Sequence, residues 1–149
     1  MEKRISIVSL KMETDKELRS EYEEHILNPL TAKKIARKII GNKDKECFLL
    51  LTLNSKNQIN NASIISEGTL NNSLVHPREV FKVAVLSNAN KIMIFHNHPS
   101  GDVNPSKEDL NITKRLRDCG ELMGIGLMDH IIVCEDEEIY YSFKEAHEI

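Results

Sequence analysis

A short apolar run, Ile92-Met93-Ile94-Phe95, passes without a break into His96-Asn97-His98-Pro99-Ser100-Gly101. Residues 91–95 read as a short buried strand, because the run is too brief for a helix and is bounded by turn-forming residues. The alternation of a strand continues into the polar residues that follow and sends the side chains of His96 and His98 to one face. Two imidazoles so placed can share a metal ion.

The rest of the chain sets the frame for that strand. A length of 149 residues fits one domain, spanning 1–149, that can bury a core without disulfides or metal staples. The longest apolar stretches, residues 48–51 and 92–95, fall far short of the roughly 20 residues needed to cross a bilayer. No secretory signal follows Met1-Glu2-Lys3-Arg4, so a cytoplasmic protein with no membrane partner is expected. Cys47, Cys119 and Cys134 are odd in number and widely spaced, which points to plain thiols and away from a disulfide framework or a zinc ribbon. The net charge of −3 does not favour nucleic acid as a partner, although a local basic patch is compatible with it.

Helical and strand signals alternate, as in an α/β domain. Residues 4–12 alternate well enough for an edge strand, and the charged run 13–24 reads as a solvated helix or loop. Pro29 opens a helix with Ile35, Ile39 and Ile40 on one face, ending at Gly41-Asn42. Residues 46–53 and 59–66 form a hairpin around Asn54-Ser55-Lys56-Asn57. A helix from Pro77 to about Asn88 presents Val80, Phe81, Ala84 and Val85. A second helix capped by Ser106 should stop at Gly120, and strands near 130–134 and 138–142 close the sheet around an acidic turn.

Asp109 lies one turn into the helix capped by Ser106, just beyond the loop that follows the histidines. It is the natural third ligand beside His96 and His98. Imidazole and carboxylate suit Zn²⁺, and a catalytic zinc takes three protein ligands and leaves a fourth position open. Each element alone is common; the conjunction His-x-His, seven residues, Ser-x-x-Asp is specific.

That spacing resembles the motif of the JAMM (MPN+) metalloproteases, a family of zinc-dependent deubiquitinases and their prokaryotic relatives. The stretch from His96 to Asp109, with Gly68-Thr69-Leu70 and His76-Pro77-Arg78-Glu79 before it and Asp129-His130-Ile131-Ile132-Val133 after it, is similar to the RadC branch. The resemblance covers about residues 31–133. RadC proteins often carry a helix-hairpin-helix region ahead of this domain, and residues 1–30 are expected to hold a strand and a charged segment instead.

The resemblance implies a mixed sheet flanked by helices, like the cytidine-deaminase-like sandwich of the JAMM fold. It also implies that His96, His98 and Asp109 hold Zn²⁺, that Ser106 hydrogen-bonds the developing oxyanion, and that an upstream glutamate is the general base. Glu46 is the leading candidate for that base, with Glu79 and Glu67 as competitors. His130 is expected to be a structural, hydrogen-bonded histidine at a strand start, His76 a helix entry residue, and His25 and His147 surface groups.

The expected activity is zinc-dependent hydrolysis of a peptide or isopeptide bond in a protein substrate. The alternative is a DNA-repair-associated accessory domain with a structural or vestigial metal site. A deaminase is disfavoured, since that chemistry uses His-x-Glu and Pro-Cys-x-x-Cys. Nothing in the residues names the substrate or the oligomeric state.

Overall fold

Asn28 caps the first helix, because its side-chain oxygen accepts the Thr31 amide at 3.0 Å and Pro29 needs no partner for a missing N–H. The computed structural model describes residues 1, 3–18, 28–68 and 75–149. Helix α1 (Pro29–Ile40) is followed by strands β1 (Glu46–Leu53) and β2 (Ile59–Gly68), helix α2 (Pro77–Leu86), strand β3 (Lys91–Asn97), helix α3 (Lys107–Met123), and strands β4 (Gly126–Val133) and β5 (Tyr140–Ser142).

The five strands form one mixed sheet in the order β2-β1-β3-β4-β5. All neighbouring pairs are antiparallel except β3 and β4, which run parallel because α3 carries the chain back between them. Helices cover both faces of this sheet. On one side α1 packs Ala32, Ile35, Ala36 and Ile40 against Cys47, Leu49, Leu51, Met93, Phe95, Ile131 and Val133. On the other, Val80, Phe81, Ala84 and Leu116 from α2 and α3 pack on Phe48, Leu50, Ile92 and Ile94. β3 therefore alternates between two cores, and His96 continues the α2/α3 side.

The hairpin turn is built by Asn54, whose side-chain oxygen Oδ1 accepts the amides of Lys56 and Gln58, while Asn57 takes the left-handed conformation. Arg37 of α1 reaches the carbonyls of Cys134, Glu135 and Asp136, and Lys33 reaches that of Glu137 at 2.6 Å. The acidic turn between β4 and β5 is thus pinned to α1 through its backbone.

Several sequence expectations need correction. Residues 4–12 form no strand; Ile5 and Ile7 are 90% and 99% exposed, and among the described residues neither sheet edge, β2 nor β5, pairs with them. Alternation specifies a strand only where one face is buried, and residues 4–12 are exposed throughout. The charged segment is exposed and without regular structure as far as residue 18, and its remainder, with His25, lies outside the described residues. α3 does not stop at Gly120 but runs three residues further, to Met123, and ends on Gly124 in the left-handed conformation (φ 69°). Gly120 serves packing instead, since a Cβ there would strike the carbonyl of Ile125. β4 begins at Gly126, which places His130 inside the strand and not at its start. Val85 is half exposed, so the inner face of α2 is narrower than expected. Among the described residues no helix is long and apolar enough to cross a membrane.

Candidate metal centre

Three elements bring the site together. β3 ends on His96 and Asn97, the chain turns at His98, and α3 starts beyond the loop with Ser106 as its N-cap. Ser106 and Asp109 form a reciprocal capping box, in which the Ser106 hydroxyl accepts the Asp109 amide at 3.1 Å and an Asp109 carboxylate oxygen accepts the Ser106 amide at 2.8 Å. The cap thereby fixes the direction of the Asp109 carboxylate. Its two oxygens lie 3.3 Å from His96 Nε2 and 3.3 Å from His98 Nε2.

The two imidazole Nε2 atoms are 2.7 Å apart, and the ligating atoms of His96, His98 and Asp109 all fall within 4.8 Å of one another. Donors held at about 2.0–2.2 Å in a tetrahedron stand roughly 3.3–3.5 Å apart; each nitrogen is at that spacing from one Asp109 oxygen, whereas the two nitrogens stand closer than this and must separate to share an ion. Proton positions agree with this donor set. His98 Nδ1 lies 2.6 Å from the carbonyl oxygen of Asp102, which can only accept, so Nδ1 carries the hydrogen and Nε2 of the neutral ring presents a lone pair. These residues fit a divalent cation; the identity of the metal is a separate matter.

Electrostatics separates the members. Burial pushes His96 down to about 4, so this ring is neutral at neutral pH and its approach to Asp109 is not an ion pair. Burial also opposes charge on His98, but the Asp109 hydrogen bond, the Asp102 carbonyl and the charges of Asp109 and Glu46 outweigh it and raise its pKa. Burial of Asp109 is likewise outweighed, by His98, His96 and the Ser106 contacts, so its pKa lies well below the ordinary carboxylate range. The third group is an anion ready to face a cation.

The three glutamates named from sequence fall in different places. Phe48 of β1 pairs with His96 of β3, Glu46 lies two residues before Phe48 on the same face of β1, and its charge acts on His98. Glu67 pairs with Cys47, whose side chain belongs to the α1 core, so it faces the other side of the sheet and binds Lys43 and the Cys47 thiol there. Glu79, in the first turn of α2, forms a 2.9 Å ion pair with Lys82 and is half exposed. His76 caps α2 by accepting the Arg78 amide, and His147 is exposed, both as expected.

His130 was expected to be structural, and the structure places it against the site. It is fully buried on β4, with Nε2 at 3.0 Å from His96 Nδ1 and Nδ1 at 2.6 Å from the Thr113 hydroxyl. Burial first, then the nearby His96, holds its pKa well below the ordinary value. Sequence reasoning also gave no role to Thr113. No local pattern marks Thr113 or ties His130 to His96; the parallel pairing of β3 with β4 and the course of α3 create the contact.

Comparison with known proteins agrees with the fold. A family model described as "RadC-like JAB domain" matches residues 26–148. A UPF0758 protein of Clostridioides difficile (strain 630) is 49% identical over 120 residues, covering 80% of this chain and 50% of that relative. A UPF0758 protein of Staphylococcus aureus (strain NCTC 8325 / PS 47) is 55% identical over 102 residues, 68% of this chain and 46% of the relative. One from Staphylococcus epidermidis (strain ATCC 12228 / FDA PCI 1200) is 48% identical over 103 residues, 69% and 45% respectively. The chain spans about half the length of these relatives. With the match covering most of its length and the His-His-Asp group assembled at the end of β3, the chain belongs to the RadC-like JAB domain family.

Proposed function

We propose that this chain hydrolyses peptide or isopeptide bonds with a zinc ion held by His96, His98 and Asp109. The observation that carries the reading is the convergence of two imidazole nitrogens and one carboxylate within 4.8 Å at a strand end. Zinc supplies Lewis acidity and draws the pKa of water towards about 7. The protein groups do the rest. Glu46, close enough for its charge to act on His98, takes a proton from the attacking water and delivers it to the amine nitrogen as the C–N bond breaks. Ser106 accepts the Asp109 amide, which leaves its own hydroxyl hydrogen to donate to the oxyanion while it still caps α3. The capping role and the catalytic role are therefore compatible.

The substrate is a protein or peptide chain, and the compartment in which it would be met is the cytoplasm. Incubating the zinc-loaded protein with a proteome-derived peptide library, beside an Asp109→Ala control, tests the reading. Chelator-sensitive cleavage that the control lacks is the expected result. Salt-dependent DNA binding with no cleavage under any metal loading would replace it with a nucleic-acid-associated accessory role.

A further inference from the structure

We infer that His130, backed by Thr113, fixes the tautomer and the aim of His96, and so is a positioning residue of the metal centre. The inference rests on reading His96, His98 and Asp109 as metal ligands. Its starting point is a carbonyl. The Thr113 hydroxyl lies 2.6 Å from the carbonyl oxygen of Asp109, one helical turn back, and a carbonyl oxygen can only accept. The single hydroxyl proton of Thr113 is therefore directed there. At its other contact, 2.6 Å from His130 Nδ1, the same hydroxyl must accept, so Nδ1 of His130 carries a hydrogen.

His130 is neutral because it is sealed inside the protein. Its ring stacks on Phe143 at 4.7 Å, meets the edge of Phe48 at 5.7 Å, and directs its two nitrogens to Thr113 and His96. A neutral imidazole with hydrogen on Nδ1 has a bare Nε2. That atom lies 3.0 Å from His96 Nδ1, which must then donate to it. His96 in turn keeps a lone pair on Nε2, the atom that faces His98 Nε2 and the Asp109 carboxylate. An imidazole holding its hydrogen on Nε2 could not serve as a ligand there.

The relay thus begins at the main chain of one candidate ligand, Asp109, and ends in the ring of another, His96. It joins α3, β4 and β3 through two buried side chains, Thr113 and His130. A partner that donates or accepts behind a ligating histidine sets both ring orientation and basicity, and removing it weakens metal binding by roughly 10–100-fold.

The test reads proton positions directly. In the full chain labelled with ¹⁵N-histidine, long-range ¹H–¹⁵N correlation reports which ring nitrogen is protonated, and competition with a chelator gives the zinc affinity. In wild type, His96 and His130 should both carry hydrogen on Nδ1, without and with zinc. Thr113→Val removes the acceptor behind His130, so its hydrogen moves to Nε2 and forces that of His96 onto Nε2 in the metal-free protein. Zinc affinity should fall by about 10–100-fold, and Thr113→Ser should restore both readouts. His130→Phe, which keeps the stacking on Phe143, should lose affinity in the same range; if it does not fold, the Thr113 pair carries the test alone. Wild-type His96 with hydrogen on Nε2, or a Thr113→Val protein with unchanged tautomer and unchanged zinc affinity, overturns the inference. A wild type that shows the expected tautomers yet binds no zinc leaves the relay standing and removes the metal reading instead.

Discussion

Asn97 and His96 are neighbours on β3, face opposite sides of the sheet, and use their polar atoms in opposite ways. The Asn97 side chain is 2% exposed and bonds only to backbone: its oxygen accepts the Cys47 amide at 2.7 Å, and its nitrogen donates to the carbonyls of Lys45 at 2.9 Å and Lys43 at 3.3 Å. These partners cannot move without rerouting the segment that enters β1. His96 bonds instead to other side chains and keeps one nitrogen turned towards His98 and Asp109. Buried polar atoms matched by backbone hold a fold, whereas donors that converge on one another describe a place for a ligand. Asp129 belongs with Asn97, because its carboxylate is closed off by Ser142 Oγ at 2.6 Å and the amides of Lys144 and His130.

The contrast predicts a sharp division between variants that lose activity and variants that lose stability. The largest effect is expected at Glu46. Glu46→Gln should keep the fold and the zinc while lowering the rate of amide hydrolysis by roughly 10²–10⁴-fold, read as kcat at saturating metal. Loss of zinc together with activity would make Glu46 a ligand or a support of one, and the open three-ligand site would need redrawing.

Ser106 straddles the division. Ser106→Ala should slow hydrolysis by about 10²-fold, as for a lost oxyanion donor, and also cost about 1 kcal/mol of stability as a lost helix cap, seen in a denaturation curve. A stability loss with an unchanged rate would confine Ser106 to its capping box.

On the other face, Asn97→Leu should destabilise the protein by about 1–3 kcal/mol, because the Cys47 amide and two carbonyls lose a buried partner. The folded fraction should still bind zinc with wild-type affinity. The smallest effect belongs to Glu79→Gln, which removes a half-exposed pair with Lys82 and should change neither rate nor stability by more than about 0.5 kcal/mol. A dead Glu79→Gln protein beside a fully active Glu46→Gln protein would move the base to α2.

The same contrast explains what the sequence reveals. The helices at Pro29 and Pro77 and the hairpin around Asn54 are legible because their signals are local: a cap, a proline at the first turn, an asparagine that bonds its own loop. The grouping of His96, His98 and Asp109 is legible for a similar reason, since strand period and helix cap lie within fourteen residues and both point the same way. Asn97 gives no such signal, for its partners sit 50 to 54 residues away. His130 is 34 residues from His96 and Thr113 is 17 from His130, and only the crossover through α3 brings them together. Gly120 misleads because a glycine near the end of a helical pattern looks like a stop, whereas here it admits the Ile125 carbonyl and Gly124 takes the left-handed turn.

Metal content tests the central claim most directly. Elemental analysis of purified, folded wild type should find close to one zinc per chain, with His96→Ala and His98→Ala carrying almost none and Asn97→Leu retaining it. Folding of each variant is to be checked by circular dichroism, since loss of a bound ion also removes its stabilising free energy. The same metal content in wild type and in both histidine variants would contradict the account.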